Sequence, residues 1–104
     1  MLLYTCPVCG YGHMPYPAVR HEICPCCGTE FGFDDYCQSH RALRNAWLAN
    51  GGRWFSPVHP RPKDWNPFMQ VMQAGYDFDV PVPDSPQIQN TFVKVLVAGC
   101  TAIL

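Results

Sequence analysis

The sequence predicts a small α+β fold: a metal-bound ribbon, two short helices packed on it, and a C-terminal strand. Three features of the 104-residue chain carry that expectation. The motif Cys6-Pro7-Val8-Cys9-Gly10 is matched by Cys24-Pro25-Cys26-Cys27-Gly28. Two later stretches place apolar residues at helical spacing between good capping residues. A valine-rich run from Thr91 to Ala98 alternates in the manner of a strand.

The paired turns are the strongest signal. Two residues between cysteines let a tight turn aim both sulfurs at one ion, and two such turns supply the four ligands of a tetrahedral site. The glycine after each second cysteine suits a backbone position of positive φ. Backbone N–H groups in such turns point at the thiolates and stabilise their charge. Aligning the motifs makes Cys24 and Cys27 the counterparts of Cys6 and Cys9, and puts Cys26 at the variable position held by Val8. The candidate metal ligands are therefore Cys6, Cys9, Cys24 and Cys27. Disulfides are the alternative, but seven cysteines pair badly. The start, Met1-Leu2-Leu3-Tyr4-Thr5, lacks the charged and apolar regions of a signal peptide, so a cytoplasmic location is expected. In a reducing compartment, cysteine more often serves metals or catalysis.

Four tetrahedral thiolates suit zinc or iron. The run Tyr4-Thr5-Cys6-Pro7-Val8-Cys9-Gly10-Tyr11 resembles the first turn of a rubredoxin. The short loop to the second turn resembles the rubredoxin-type domain of rubrerythrins. That likeness implies a one-electron iron carrier. Zinc ribbons use the same turns, and structural zinc is the commoner outcome of this spacing, so Zn2+ is the expected metal and iron the alternative.

Composition sets the scale. The chain is long enough for one domain, and a hydrophobic fraction of 48% with 13% aromatics allows a modest core. Eleven prolines imply long irregular connections. Small domains of this kind often need a staple. A structural zinc supplies one, since apparent binding energies of about 10–16 kcal/mol in zinc-finger peptides couple to folding. A net charge of −1 excludes a general polyanion binder. The charge is nonetheless segregated. Residues 1–35 set Arg20 against Glu22, Glu30, Asp34 and Asp35; residues 36–63 carry Arg41, Arg44, Arg53, Arg61 and Lys63 with no acid; residues 64–104 set Asp64, Asp77, Asp79 and Asp84 against Lys94. These segments are expected to fold against each other and partly neutralise.

The organisation follows: a zinc-ribbon-like module over 1–35, a helical segment over 36–75 packed on it, and an acidic, proline-rich arm with a strand over 76–104. Leu2 to Thr5 and Val19 to Ile23 read as strands leading into the two turns, with Phe31 and Phe33 covering the cluster. Ser39 to Asn50 reads as a helix capped by Ser39 and ended by Gly51, with Leu43, Ala46, Trp47 and Asn50 on one face and Arg41 and Arg44 on a more polar one. Pro67 to Ala74 reads as a second helix, with Asn66 as cap, Pro67 at the first position, Gly75 beyond the end, and Phe68, Val71 and Met72 inward. The last twelve residues are too short to span a membrane, and no membrane association is expected.

Two stretches carry a further resemblance: His21-Glu22-Ile23-Cys24-Pro25-Cys26-Cys27-Gly28-Thr29-Glu30-Phe31-Gly32-Phe33-Asp34-Asp35, and Leu43 to Ser56 with Pro62 and Trp65 beyond. Over roughly residues 4–75 they resemble a family of small, mostly bacterial cysteine-rich proteins named for their Cys-Pro-Cys-Cys turn. The resemblance implies a metal-binding ribbon with the four ligands above, and a short stand-alone chain suited to binding or adaptor roles.

Other chemistry is weaker. Cys37 and His40 form a Cys-x-x-His pair that, with His13, His21 or His59, makes a second-site candidate, but no partner pair has matching spacing. No phosphate loop or catalytic triad is present, Asp34-Asp35 reads as a solvated pair, and a closed thiolate set leaves no open catalytic position. The expected function is a non-enzymatic zinc-ribbon protein that acts as a binding, adaptor or inhibitor/immunity module, with Arg41, Arg44 and Arg53 as the face for a protein partner. An iron electron carrier is one alternative. A nucleic-acid-binding ribbon using these arginines with Trp47, Trp54 and Phe55 is another. It is weakened because the rings read as core. The valine-rich end suits edge pairing, so monomer and homodimer both stay open.

Overall fold

A computed structural model describes residues 2–83. Its two helices form where the capping residues place them. Helix α1 is His40–Ala49, and the Ser39 side chain accepts a hydrogen bond from the Ala42 N–H at 3.0 Å. Asn50 is its C-cap. Helix α2 is Pro67–Gln73, opened by Pro67 at a position whose N–H would have no partner. Asn66 Oδ1 accepts from the Phe68 and Met69 N–H groups at 2.9 and 3.1 Å. Both helices match their expected spans to within about a residue at each end.

The expected strands do not form. Tyr4 and Met14 exchange both backbone hydrogen bonds, at 2.9 and 3.1 Å, as an isolated antiparallel bridge. A second isolated bridge joins Ile23 and Glu30. Neither pairing propagates, for local reasons. Pro15 and Pro17 offer no N–H beyond Met14. His21 sits at a φ of 66°, outside the extended region, just before the second bridge. The strand expected over Thr91–Ala98 and residue Cys100 lie outside the described residues.

Two apolar clusters hold the described residues. The first is built on Cys6, Cys9, Cys24 and Cys26 with Val8, Met14 and Phe31, and Tyr11, Leu43, Trp47, Trp54 and Trp65 pack against it. The Trp54 ring meets Tyr11 and Trp65 edge-on, each at 5.4 Å between centroids. The second cluster is Leu48, Phe68 and Val71. Tyr76, Phe78 and Val80 pack onto it, so the start of the expected arm is folded against the helices and is not a free linker.

Helix α1 lies between the clusters, which changes its expected faces. Leu43 turns to the cysteines and Leu48 to α2, while Trp47 packs against both clusters. Arg44 lies four residues before Leu48, on the same stripe, and is buried. The expected single apolar face thus became two. Phe33, Phe55 and Met72, expected inside, are exposed; of the aromatic pair after the second turn, Phe31 alone is buried. Among the described residues, the expected neutralisation between segments is visible where Asp77 pairs with Arg41 at 3.0 Å and with Arg44 at 3.6 Å. No helix among the described residues is long and apolar enough to cross a membrane.

The double cap at Asn66 gives a local test. Asn66→Ala is expected to lower stability by about 1 kcal/mol. Met69→Ala, at a half-exposed position of the same helix, should change it by under about 0.5 kcal/mol. Urea unfolding of the two variants checks the difference.

Candidate metal centre

The two cysteine turns share one backbone pattern. In the first, the Cys6 N–H donates to Tyr11 O at 2.8 Å and the Gly10 N–H to Cys6 O at 3.0 Å. In the second, the Cys24 N–H donates to Thr29 O at 3.0 Å and the Gly28 N–H to Cys24 O at 2.9 Å. Each turn thus closes on itself through equivalent atoms. Gly10 and Gly28 close them at φ of 85° and 79°, a region that costs any residue with a Cβ. Space adds a second reason. A Cβ on Gly28 would lie 2.5 Å from the Phe55 ring, and one on Gly10 would lie 2.8 Å from Ala74 Cβ.

The closed turns aim N–H groups at sulfur. Cys6 Sγ accepts from the Val8 and Cys9 N–H groups at 3.3 and 3.5 Å, and Cys24 Sγ accepts from the Cys26 N–H at 3.4 Å. Cys27 Sγ lies 3.2 Å from Thr29 Oγ1. The four sulfurs of Cys6, Cys9, Cys24 and Cys27 all lie within 4.8 Å of one another. The Cys6–Cys27 and Cys9–Cys24 separations are 3.8 and 3.7 Å. Four sulfurs about 2.3 Å from a central zinc stand about 3.8 Å apart along the tetrahedron's edges. A disulfide would bring two of them to about 2.05 Å, and all four are free thiols.

Their electrostatics ask for a cation. Burial pushes the Cys9 thiol far above its ordinary pKa. Contact with the other sulfurs, Cys24 first, raises Cys27. Cys24 is pushed down because Cys27, Cys6 and Cys9 surround it as donors. Four thiolates packed this closely in a buried place would repel without compensation. A divalent cation at the centre would let all four ionise, so the donor set fits a tetrahedral metal.

The remaining candidates separate cleanly. Cys26 is buried beside the cluster without joining the four; its sulfur lies 3.4 Å from Gln70 Nε2, which also donates to Cys9 O at 3.0 Å. Arg44 corrects the sequence reading. It is only 6% exposed, and it donates to Val8 O, Asp77 O and Pro7 O at 2.7, 2.7 and 2.9 Å. The Tyr76 ring lies 4.5 Å beneath its guanidinium. It is part of the interior, not of a contact face. Arg41 and Arg53 are exposed. His40 does not join a second site but bonds to Asp35 at 3.1 Å, and no further group of ligating side chains converges among the described residues. Asp34 and Asp35 are not merely solvated, since they accept from the Glu30 and Gly32 N–H groups and brace the loop after the second turn.

Gln70 and Arg44, which support the centre, carry no local motif. The only sequence signal for Arg44 was its place four residues before Leu48. Comparison of the chain with protein-family models, curated proteins and solved structures finds no match.

Ligand and bystander cysteines should behave differently. Cys24→Ser is expected to abolish stoichiometric zinc binding, whereas Cys26→Ser should retain one zinc per chain. Gly28→Ala should bind zinc but unfold at lower denaturant, by about 2–4 kcal/mol from positive φ and ring overlap together. Elemental analysis and denaturant titration of the three proteins read both effects.

Proposed function

We propose that Cys6, Cys9, Cys24 and Cys27 hold Zn2+ as a structural staple in a ribbon-like module, and that the protein is a non-enzymatic binding or adaptor module for another protein. The observation that carries the metal half is the sulfur geometry, whose separations of 3.7 and 3.8 Å are those of a tetrahedral thiolate site. The four thiolates occupy every position of such a site, which favours structure over catalysis.

Surface chemistry supports the partner half. Phe33, Tyr36 and Val19 are 66%, 84% and 53% exposed. Val19 and Tyr36 border an open groove of about 870 Å³ with Arg20 and Asp35, floored by Phe31 of the cysteine cluster. Exposed aromatics beside arginine are common anchors of protein interfaces. Arg41 and Arg53 remain candidates for the contact face, and Arg44 is withdrawn from it because it is buried. A nucleic-acid role has less support, since the Trp47 and Trp54 rings pack on the cysteine cluster and are not laid out for base stacking. Inhibition or immunity toward a nearby protein is one form the adaptor role takes.

An iron electron carrier is the second reading, compatible with the N–H···S bonds to Cys6 and Cys24, which suit an iron–thiolate centre as well as a zinc one. The readings part on purification. Zinc predicts a colourless protein with one equivalent of zinc that loses its fold on chelation. Iron predicts a red protein with visible thiolate-to-iron absorption.

The partner reading is tested by affinity capture from the native host, with the bound protein identified and its affinity remeasured with purified components. Tyr36→Glu or the pair Arg41→Glu and Arg53→Glu is expected to weaken binding tenfold or more at unchanged zinc content. Unchanged affinity in both would remove these surfaces from the interface.

A further inference from the structure

The backbone of each cysteine turn is held from behind by two donors, and the two turns are held differently. In the second turn, the carbonyls of Pro25 and Cys26 accept from the Ser56 and Phe55 N–H groups, both at 2.9 Å. The equivalent carbonyls of the first turn are those of Pro7 and Val8. Both accept from one guanidinium, that of Arg44, at 2.9 and 2.7 Å. Neutral amides thus occupy one pair of positions, and a buried cation the other.

The peptide units concerned are those that face sulfur. The Pro7 carbonyl shares its peptide with the Val8 N–H, and the Val8 carbonyl shares its peptide with the Cys9 N–H. Those N–H groups donate to Cys6 Sγ at 3.3 and 3.5 Å. A charged donor on the carbonyl side polarises the peptide and strengthens the N–H on the other side. Two such relays run in parallel from the guanidinium to one sulfur.

We propose that Arg44 is a positioning and charge-compensating residue for the four-cysteine centre, acting on Cys6 through the Pro7–Val8 and Val8–Cys9 peptides. The proposal rests on the metal-site reading above. Four thiolates around a divalent ion carry a net charge of −2, and a buried cation one peptide unit away offsets part of it. The same guanidinium donates to Asp77 O at 2.7 Å and covers the Tyr76 ring, so occupancy of the centre and docking of residues 76 and 77 on α1 are linked through one side chain. The Asp77 carboxylate, 3.6 Å from Arg44 and largely exposed, draws on that charge from the far side. It therefore opposes the effect of Arg44 on the sulfur.

The test is titration of the reduced wild-type chain, Arg44→Met, Arg44→Lys and Asp77→Asn with Co2+ alone, against a competing chelator. The readouts are affinity and the position of the thiolate-to-cobalt charge-transfer band. Arg44→Met is expected to weaken cobalt binding about tenfold or more, as for other residues that support ligands from outside the coordination sphere. Its band should move to lower energy as Cys6 becomes a stronger electron donor, and Arg44→Lys should lie between it and wild type. Asp77→Asn should shift the band the opposite way and tighten binding. A band that stays put in both Arg44→Met and Asp77→Asn reduces Arg44 to packing and overturns the proposal. If Arg44→Met fails to fold, an unmoved band in the surface variant Asp77→Asn overturns it alone. If the wild-type chain takes up no cobalt, the metal-site reading itself falls and the proposal with it.

Discussion

Four sulfurs packed within 4.8 Å of one another are tolerable in a buried place only if their charge is shared or neutralised. That constraint organises the molecule. Each turn closes through glycine at positive φ so that its N–H groups face inward to sulfur. Phe31 and the Tyr11, Trp54 and Trp65 rings then close over the cluster from outside. With only bridges in place of strands, little regular backbone pairing holds the N-terminal part together. The cluster supplies the long-range order that a sheet would supply elsewhere.

The helices are arranged by the same demand. The carbonyls behind each turn point away from sulfur and need donors. The segment around Phe55 supplies two for the second turn, and Arg44 of α1 supplies them for the first. Gln70 of α2 reaches Cys9 O from a third direction. Leu48, Phe68 and Val71 then join the helices in a second cluster that contains no cysteine. The parts read separately as ribbon, helical segment and arm are thus tied by polar contacts as much as by apolar ones. Phe33, Tyr36 and Val19 lie outside this network and face solvent.

Some of this was legible residue by residue. Ser39 and Asn66 marked the helix starts, because a cap is a local bond to the next turn. The two Cys-Pro-x-Cys-Gly motifs placed the four sulfurs on matched turns and left Cys26 aside, because a turn's geometry depends on its own few residues. Strands failed where local reading is weakest. Leu2–Thr5 and Val19–Ile23 have suitable composition, but pairing depends on the partner strand, and prolines and His21 cut it short.

The sequence by itself therefore determined the helix boundaries and which four cysteines occupy equivalent positions. Only the tertiary structure decided what stands behind them. Arg44 read as a surface charge because α1 alone has one apolar face. Enclosed between the cysteine turns and α2, the same helix has two buried sides. Its guanidinium is stable in the interior because Pro7, Val8 and Asp77 offer it three carbonyls, contributed from positions 33 to 37 residues away along the chain.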